Sequence, residues 1–589
     1  MKHVFVGSDE ANTLLDALRE VPPVLLIGSA VSAWEPTALP VGASFGKQLF
    51  QILFEEDPAH DQSGFDAVRG LAEEAPFEQL LEWCPDNEGM QRTMRQAFAV
   101  DTPNDVHRAL ADALESGNAK AIITTNYDLC LDHLISDNVE TGRVVTRGDV
   151  RNVERQAERS LFKIHGSADD VAGETMVWAL RHESRLQEWK RLLLCRLVEG
   201  RPLLVIGYSG RDFELCPELS RCRPSSILWN VTQGSFRRGE ITTNSQRVME
   251  SLQGTYLVGD MADVIGRIFR RVDVVWGRET TDLADRIRDT LSECDRALWR
   301  GRLAIALGAP LFALAASEEL VNECPEVTSR EAHRIAAQAR FHLGKYRTAA
   351  RGYRTAAEMA PDGSPSSVGL KLEQADAVRC VGHLVRARRL AETAEVEAKL
   401  LPEGERRTHD AWTDWKRVQI IRDWHRVAGL LRLRRWQSSL GRRAEPLLRK
   451  AAVVFLETGN WWSFNSAALW AQRLGIDLLA ETDMDLLPPP PALDGARHLG
   501  NWVAESMAFR ESLATKRHLA PDEIRQADRL IQLASDLRCF PELWKLSRLR
   551  MRTVSGAPQK ARYFGMFVYA FLRCEYSVPM RVMSLVRGS

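Results

Sequence analysis

The sequence predicts a doubly wound α/β domain followed by an all-α array of paired helices. Three observations carry that prediction. Short aliphatic runs, each closing on small or polar residues, recur up to about residue 275 with helical stretches between them; runs of this kind suit strands buried on both faces of a parallel sheet. Beyond about residue 295 the strand signal stops and the apolar period becomes helical. The length of 589 residues is itself more than one ordinary domain holds. The expected division is residues 1–275, a connecting segment 276–295, and residues 296–589.

Strands are expected at 24–28, 121–125, 161–165, 203–207, 227–230 and 255–259, with helices such as 105–116 and 188–199 between them. Ligands of such sheets sit beyond the carboxyl ends of the strands, so the residues that close each run become candidates. The first run enters Gly28, Ser29, Ala30, Val31 and Ser32, a small-residue turn that can bare backbone N–H groups towards a phosphate or serve only as a tight turn. The second closes on Thr124, Thr125, Asn126, Tyr127 and Asp128. Asn126 offers a donor and an acceptor that can fix a ribose hydroxyl or a water, and Asp128 can hold the loop; either can instead cap the following helix. The third ends at His165-Gly166, where an imidazole is suited to acid–base work, although a lone histidine is more often structural. The fourth gives Gly207, Tyr208 and Ser209, and the fifth ends at Asn230.

In the second half, Gly344, Tyr346, Ala349, Tyr353 and Ala356 follow the pattern G-x-Y-x-x-A-x-x-x-Y-x-x-A and close on Pro361. This resembles the tetratricopeptide repeat. Weaker copies lie at Gly308, Ala313 and Pro325, and at Gly382, Ala387, Ala391 and Ala394. Helices are also expected at 443–458, 463–474, from about 501, and at 521–537, with a rigid break at prolines 488–491. The resemblance implies a solenoid that binds peptides or proteins, or drives self-assembly.

Composition narrows the function classes. Lys plus Arg number 78 and Asp plus Glu 79, a formal charge of −1, which excludes a chain held to DNA by its overall charge. No apolar run is long enough for a membrane span, and the first residues lack a signal-peptide core. Ten scattered cysteines include no C-x-x-C, so neither a zinc ribbon nor a disulfide framework is expected, and a reducing, cytoplasmic setting is. Residues 411–450 depart from neutrality: eleven Lys or Arg face three acidic residues, with Trp412, Trp415, Trp424 and Trp436 interleaved. Such a stretch can hold single-stranded nucleic acid. The plainer expectation is helices that bury the tryptophans and pair the basic residues with acidic neighbours.

Taken in order, the five strand ends resemble the sirtuin family, specifically the sirtuin-like NAD-consuming domains of bacterial anti-phage defence proteins. The family's G-A-G-x-S is matched at Gly28, Ser29, Ala30 and Ser32, its I-P by Leu39-Pro40, and its T-x-N-x-D at Thr124, Asn126 and Asp128. Its H-G is His165-Gly166, its G-x-S is Gly207 and Ser209, and its late asparagine corresponds to Asn230. The resemblance covers roughly residues 20–270 and implies a Rossmann-like domain of sirtuin type. NAD+ would be the substrate, with Asn126 and His165 catalytic. Gly28, Ser29, Ala30, Ser32, Thr124, Asp128, Gly207, Tyr208, Ser209 and Asn230 would bind it. Three departures bear on the reaction. Ala30 replaces a glycine, Val41-Gly42-Ala43 stands where protein deacylases carry D-F-R, and only Cys195 lies between H-G and G-x-S, where deacylases carry four zinc cysteines. No metal is therefore expected, and the resemblance implies an NAD+ hydrolase that yields ADP-ribose and nicotinamide as a defence effector gated by the helical half. It also implies a homo-oligomer and a phage protein or defence-system partner. The alternatives are an NAD-dependent deacylase or ADP-ribosyltransferase, and a non-enzymatic scaffold that senses NAD or ADP-ribose.

Overall fold

The computed structural model describes residues 2–54, 62–75, 88–135, 141–150, 159–170, 186–210, 215–270, 281–324, 329–457, 519–554 and 556–575, with isolated positions between these stretches. Its contacts divide the chain into two units. One holds Met1–Ile52 with Asp86–Leu291, the other Leu53–Pro85 with Ser292–Ser589.

The first unit is built on eight parallel strands: β1 (Lys2–Phe5), β2 (Val24–Ile27), β3 (Ala121–Thr124), β4 (Thr141–Val144), β5 (Arg159–Lys163), β6 (Pro202–Ile206), β7 (Ser226–Val231) and β8 (Thr255–Val258). Their order is β1-β8-β7-β6-β2-β3-β5-β4. The six expected strands form within two residues of their expected bounds. β1 and β4 were not expected, and both are edge strands. Three of the four β1 residues are exposed, and β4 reads Thr-Gly-Arg-Val, so neither carries the apolar run that double-sided burial writes into a central strand.

Side chains alternate between two cores. Leu25, Ile27, Ile122, Leu161, Leu204, Ile206, Leu228 and Leu257 pack on one face with Leu15 and Leu18 of the helix Asp9–Glu20, the apolar side of Asp105–Glu115, and Val264 and Ile265 of Met261–Ile268. Val24, Leu26, Ile123, Phe162, Val205, Trp229 and Tyr256 pack on the other with Leu193, Leu194 and Val198 of Glu188–Val198. Each such aliphatic side chain contributes about 1.5–3 kcal/mol through its burial. The chain builds β3, β5 and β4 on one side of β2 and β6, β7 and β8 on the other. The two directions part between β2 and β6, where a doubly wound sheet opens a crevice at its carboxyl edge.

The second unit is helical. Glu293–Ala306, Pro310–Glu323, Ser329–His342, Tyr346–Glu358, Pro365–Val381, Leu384–Ala398, Glu403–Leu430 and Arg434–Glu457 each pack on the next. Pro521–Asp536, Phe540–Thr553 and Ala557–Arg573 do the same. The expected repeat residues form the contacts: Tyr346, Ala349, Tyr353 and Ala356 are buried in one helix, Ala387, Ala391 and Ala394 in another. Gly344 and Gly382 end first helices at φ +76° and +103°, a left-handed turn that a side chain would strain. The helix expected at 443–458 starts earlier, at Arg434, and takes Pro446 into its interior. Pro325, the prolines 488–491, most of 463–474 and the helix from about 501 lie outside the described residues.

Two findings differ from the sequence reading. Residues 53–85, expected in the first domain, group with the helical unit: the Phe54 ring lies 5.7 Å from Phe312 in a T-shaped pair, and Gln62–Glu74 packs against Pro521–Asp536. Where no disulfide was expected, Cys294 is bonded to Cys324. Cys294 opens one helix and Cys324 follows the next, so the hairpin brings together two cysteines whose spacing of 30 gives no motif. Among the described residues, no helix is long and apolar enough to cross a membrane.

Candidate functional site

The carboxyl ends of β2, β3, β5 and β6 carry the candidates. β2 runs into Gly28 and the 3-10 turn Ser29–Ser32. A Cβ on Gly28 would stand 2.6 Å from the Gly207 carbonyl oxygen and 2.7 Å from Tyr208 Cα, so the first loop lies directly on the β6 loop and only glycine fits there. Hydrogen bonds hold the contact: Gly28 N–H donates to Ile206 O, Ala30 N–H to Gly207 O and Val31 N–H to Gly28 O. Those three N–H groups are therefore engaged within the protein, which corrects the picture of a turn baring all its amides to a phosphate. Ser29 and Ser209 are exposed beside the contact.

Ser32 is the hub of the polar site. Its Oγ donates to Asp128 Oδ2 at 2.8 Å, accepts from Asn126 Nδ2 at 2.9 Å, and lies 3.1 Å from His107 Nε2. The protons can be assigned by counting. Asn104 N–H donates to His107 Nδ1 at 3.3 Å, so Nδ1 is the acceptor and Nε2 carries the hydrogen that goes to Ser32. Ser32 spends its only hydrogen on Asp128 and both lone pairs on His107 and Asn126. The hydroxyl cannot donate to Asn126, so the amide must turn its NH2 to Ser32 and its oxygen away. Asn126 Oδ1 is buried with no hydrogen-bond partner among the described residues, an acceptor poised for a ligand hydroxyl or water. Burial pushes the His107 imidazole below its ordinary range against the pull of Asp128, in keeping with the neutral tautomer.

The loop after β3 is fastened on both sides. Thr124 Oγ1 accepts from Asn126 N–H at 3.0 Å, and Asp128 Oδ1 accepts from Cys130 N–H at 3.2 Å. Lys163, one of the largest fully buried side chains, donates to the carbonyls of Asp128 at 2.5 Å and Tyr127 at 3.3 Å and pairs with Asp132 at 2.8 Å. The loop after β5 is tied to the same segment, through Ile164 N–H to Thr124 O and Ala168 N–H to Tyr127 O, both at 3.0 Å. That places buried His165 just beyond β5, on the strand next to Asn126. Ile27, His107, Thr124, Asn126, Asp128, Leu131, Asp132 and Lys163 line a small cavity here.

The family described as SIR2-like domain matches residues 120–224. That segment is similar to a SIR2-like domain. The match spans the segments that end in Asn126, His165 and Ser209. No curated protein matches the chain. Among solved structures, a Rap protein complexed with competence and sporulation factor is similar at 13% identity and TM-score 0.33, over 53% of this chain and 83% of that one. A signal-transduction ATPase with a tetratricopeptide-repeat sensor from Pyrococcus horikoshii is similar at 12% identity and TM-score 0.23, over 100% and 93%. The architecture of the helical unit rests on its own helix pairs.

The expected residues of the first unit divide into groups. Ser32, Thr124, Asn126 and Asp128 come together in one network, and Gly28, Ala30, Gly207 and Tyr208 form the loop contact. Asn230 stands apart: its Nδ2 donates to the Leu257 and Gly259 carbonyls, both at 3.2 Å, and ties β7 to the loop after β8. His107, Lys163 and Asp132 were missed. A lysine inside the aliphatic run 161–164 is rare enough to flag, and Asn104 three residues before His107 has capping-box spacing, which the structure realises. His107, Asp128 and Cys130 also lie within metal-ligand distance of one another. Burial, and then Asp128, push the Cys130 thiol well above its ordinary range. Ser32 hydrogen-bonds both the imidazole and the carboxylate of this trio.

Proposed function

We propose that the SIR2-like domain hydrolyses NAD+ to ADP-ribose and nicotinamide, with the helical unit gating the reaction as part of an anti-phage response. The observation that carries the reading is the Asn126 amide, whose buried oxygen is held outward by a saturated Ser32. Nicotinamide leaves as a neutral group, and the ribose passes through a cationic, oxocarbenium-like state. The site needs an oriented water and a stabilised ribose more than a covalent nucleophile. Asn126 Oδ1 would accept from the water or from a ribose hydroxyl. His165 would take the proton. Ser29, Ser209 and the Gly28–Gly207 contact would border the phosphates, and Asp128 would hold the Asn126 loop through Ser32.

The absence of four cysteines between His165 and Gly207 favours water over an acyl-lysine as acceptor. The test is to incubate the purified full chain with NAD+, with and without an acetylated peptide, and to resolve the products by chromatography. Nicotinamide and ADP-ribose in equal amounts, independent of peptide and lost in Asn126→Ala and His165→Ala, are the expected result. An O-acyl product, or full turnover in either variant, refutes the assignment. Co-expression with phage proteins while cellular NAD+ is followed tests the gate; constant depletion without a trigger removes it.

A further inference from the structure

Cys195 is the one cysteine between the H-G and G-x-S segments, and the fold gives it a partner. It lies half-buried on the helix Glu188–Val198, and Cys222 lies buried just past the helix Leu215–Leu219. The two helices pack together, and Cys195 Sγ stands 2.8 Å from Cys222 Sγ. Both remain thiols. Cys222 also donates to the Glu218 carbonyl at 3.4 Å. It has a single hydrogen, so the hydrogen between the two sulfurs belongs to Cys195. An S–S bond of about 2.05 Å is therefore only about 0.8 Å of approach away.

The backbone on either side is already fastened. Gly200 N–H donates to Arg223 O at 2.8 Å, and Ser225 N–H to Arg201 O at 2.9 Å. The chain between the two cysteines holds β6 and the loop Gly207, Tyr208 and Ser209, which lies on Gly28. A bond between the sulfurs closes that stretch into a covalent ring beside β2. The two thiols are not equivalent. Burial first, and then the hydrogen bond with Cys195, hold the Cys222 thiol well above its ordinary range, and Cys222 is only 3% exposed. Thiolate character and access govern oxidation, so the first encounter with an oxidant falls to Cys195.

We propose that Cys195 and Cys222 are a redox pair, closed reversibly to a disulfide by a peroxide, and that closure stiffens the segment bearing the β6 loop. Cys195 Sγ attacks one peroxide oxygen, the O–O bond breaks, and the other oxygen leaves as water with the thiol proton, giving a sulfenic acid. Cys222 Sγ then attacks that sulfur. The S–S bond forms, the S–O bond breaks, and the hydroxyl leaves with the Cys222 proton as a second water. Two electrons pass from the thiols to the peroxide, and a dithiol reductant reopens the bond by exchange. The pair uses neither Asn126 nor His165, so its closure is tested apart from NAD+ cleavage.

The experiment treats the folded full chain with hydrogen peroxide, alkylates the remaining thiols, and maps linkages by mass spectrometry before and after dithiothreitol. A Cys195–Cys222 linkage should appear on oxidation and vanish on reduction, distinct from the Cys294–Cys324 bond. Cys222→Ser should leave Cys195 as a sulfenic acid that dimedone labels, and Cys195→Ser should leave Cys222 a thiol at the same dose. Hydrogen exchange at the Gly200 and Ser225 amides should slow about threefold or more in the oxidised chain. The wild-type map decides the pairing even where a serine variant does not fold. The proposal is overturned if peroxide leaves the pair unlinked, if either cysteine bonds Cys216 instead, or if the bond forms only in urea. A bond that dithiothreitol cannot open overturns its reversibility, and unchanged exchange at both amides overturns the stiffening.

Discussion

Replacing Ser32 by alanine tests the site's central inference, that one hydroxyl aims the Asn126 amide. The change removes an acceptor for Asn126 Nδ2 and His107 Nε2 and a donor to Asp128 Oδ2, at 2.9, 3.1 and 2.8 Å. A hydrogen bond to a charged group is worth about 1.5–3 kcal/mol and a neutral one about 1. The three share one atom, so their losses do not add. A destabilisation of about 3 kcal/mol is expected, together with loss of the constraint on which end of the amide faces the ligand. Misplacing a catalytic group by about 1 Å can cost 100-fold, and a fall of that order in NAD+ turnover is expected at a temperature where the variant remains folded. Nicotinamide release measured beside a thermal melt separates the two effects. His107→Ala should lower turnover less, because it removes only one of the bonds that saturate Ser32, and the double variant should be no worse than Ser32→Ala alone. Folded Ser32→Ala with turnover within threefold of wild type refutes the reasoning, as does full additivity in the double variant.

Lys163→Met should destabilise the SIR2-like domain by about 3–5 kcal/mol in urea unfolding, because it strips a buried partner from Asp132 and from the Tyr127 and Asp128 carbonyls; turnover should fall with it. In the helical unit, burial holds His342 at about 4 against the pull of Glu542. The unfolded chain then binds the extra proton first, so stability should decline as pH falls from about 6.5 towards 4, by at most about 3 kcal/mol, and His342→Leu should flatten that slope between pH 6.5 and 5. Cys294→Ser, or reduction by dithiothreitol, should lower the unfolding midpoint by the equivalent of about 3 kcal/mol for a loop of this length, with alkylation and mass spectrometry reporting the bond.

The central sheet was readable because double-sided burial leaves uninterrupted runs such as Leu203-Leu204-Val205-Ile206, every residue of which is buried. The edges were not, because a strand with one neighbour is free to use Lys2 or Arg143. The helix pairs were readable where small residues let helices touch, as at Ala349 and Ala356, and less so where long polar helices carry the packing. Residues 411–450 divide along the same line. Lys416, Arg417, Arg449 and Lys450 pair with Asp376, Glu395, Glu445 and Asp414, and Trp415 is buried, as the plainer expectation had it, whereas Trp412 and Trp424 are half-buried and Trp436 is exposed. Arg379, on the helix Pro365–Val381, bonds Asp423 on the helix Glu403–Leu430, so charge pairing is settled between helices and no linear count along one helix can see it.

The site shows the same limit at the scale of single atoms. Residue type and strand position were enough to nominate Ser32, Asn126 and Asp128, since polar residues closing buried strands are few. They could not say which end of the Asn126 amide faces the ligand. That depends on where the Ser32 proton goes, which depends on the His107 tautomer, which a backbone N–H from Asn104 decides. The chain of dependence crosses three segments, with Ser32 lying 75 residues from His107 and 94 from Asn126, and His107 enters it from a helix whose sequence reads as ordinary amphipathic packing. Asn230 is the converse. Its place after the fifth strand nominated it equally well, yet two backbone carbonyls claim its amide, so its side chain serves the loop after β8 rather than the Ser32 network. Position selects the candidates, and the count of donors and acceptors around each one decides what remains for chemistry.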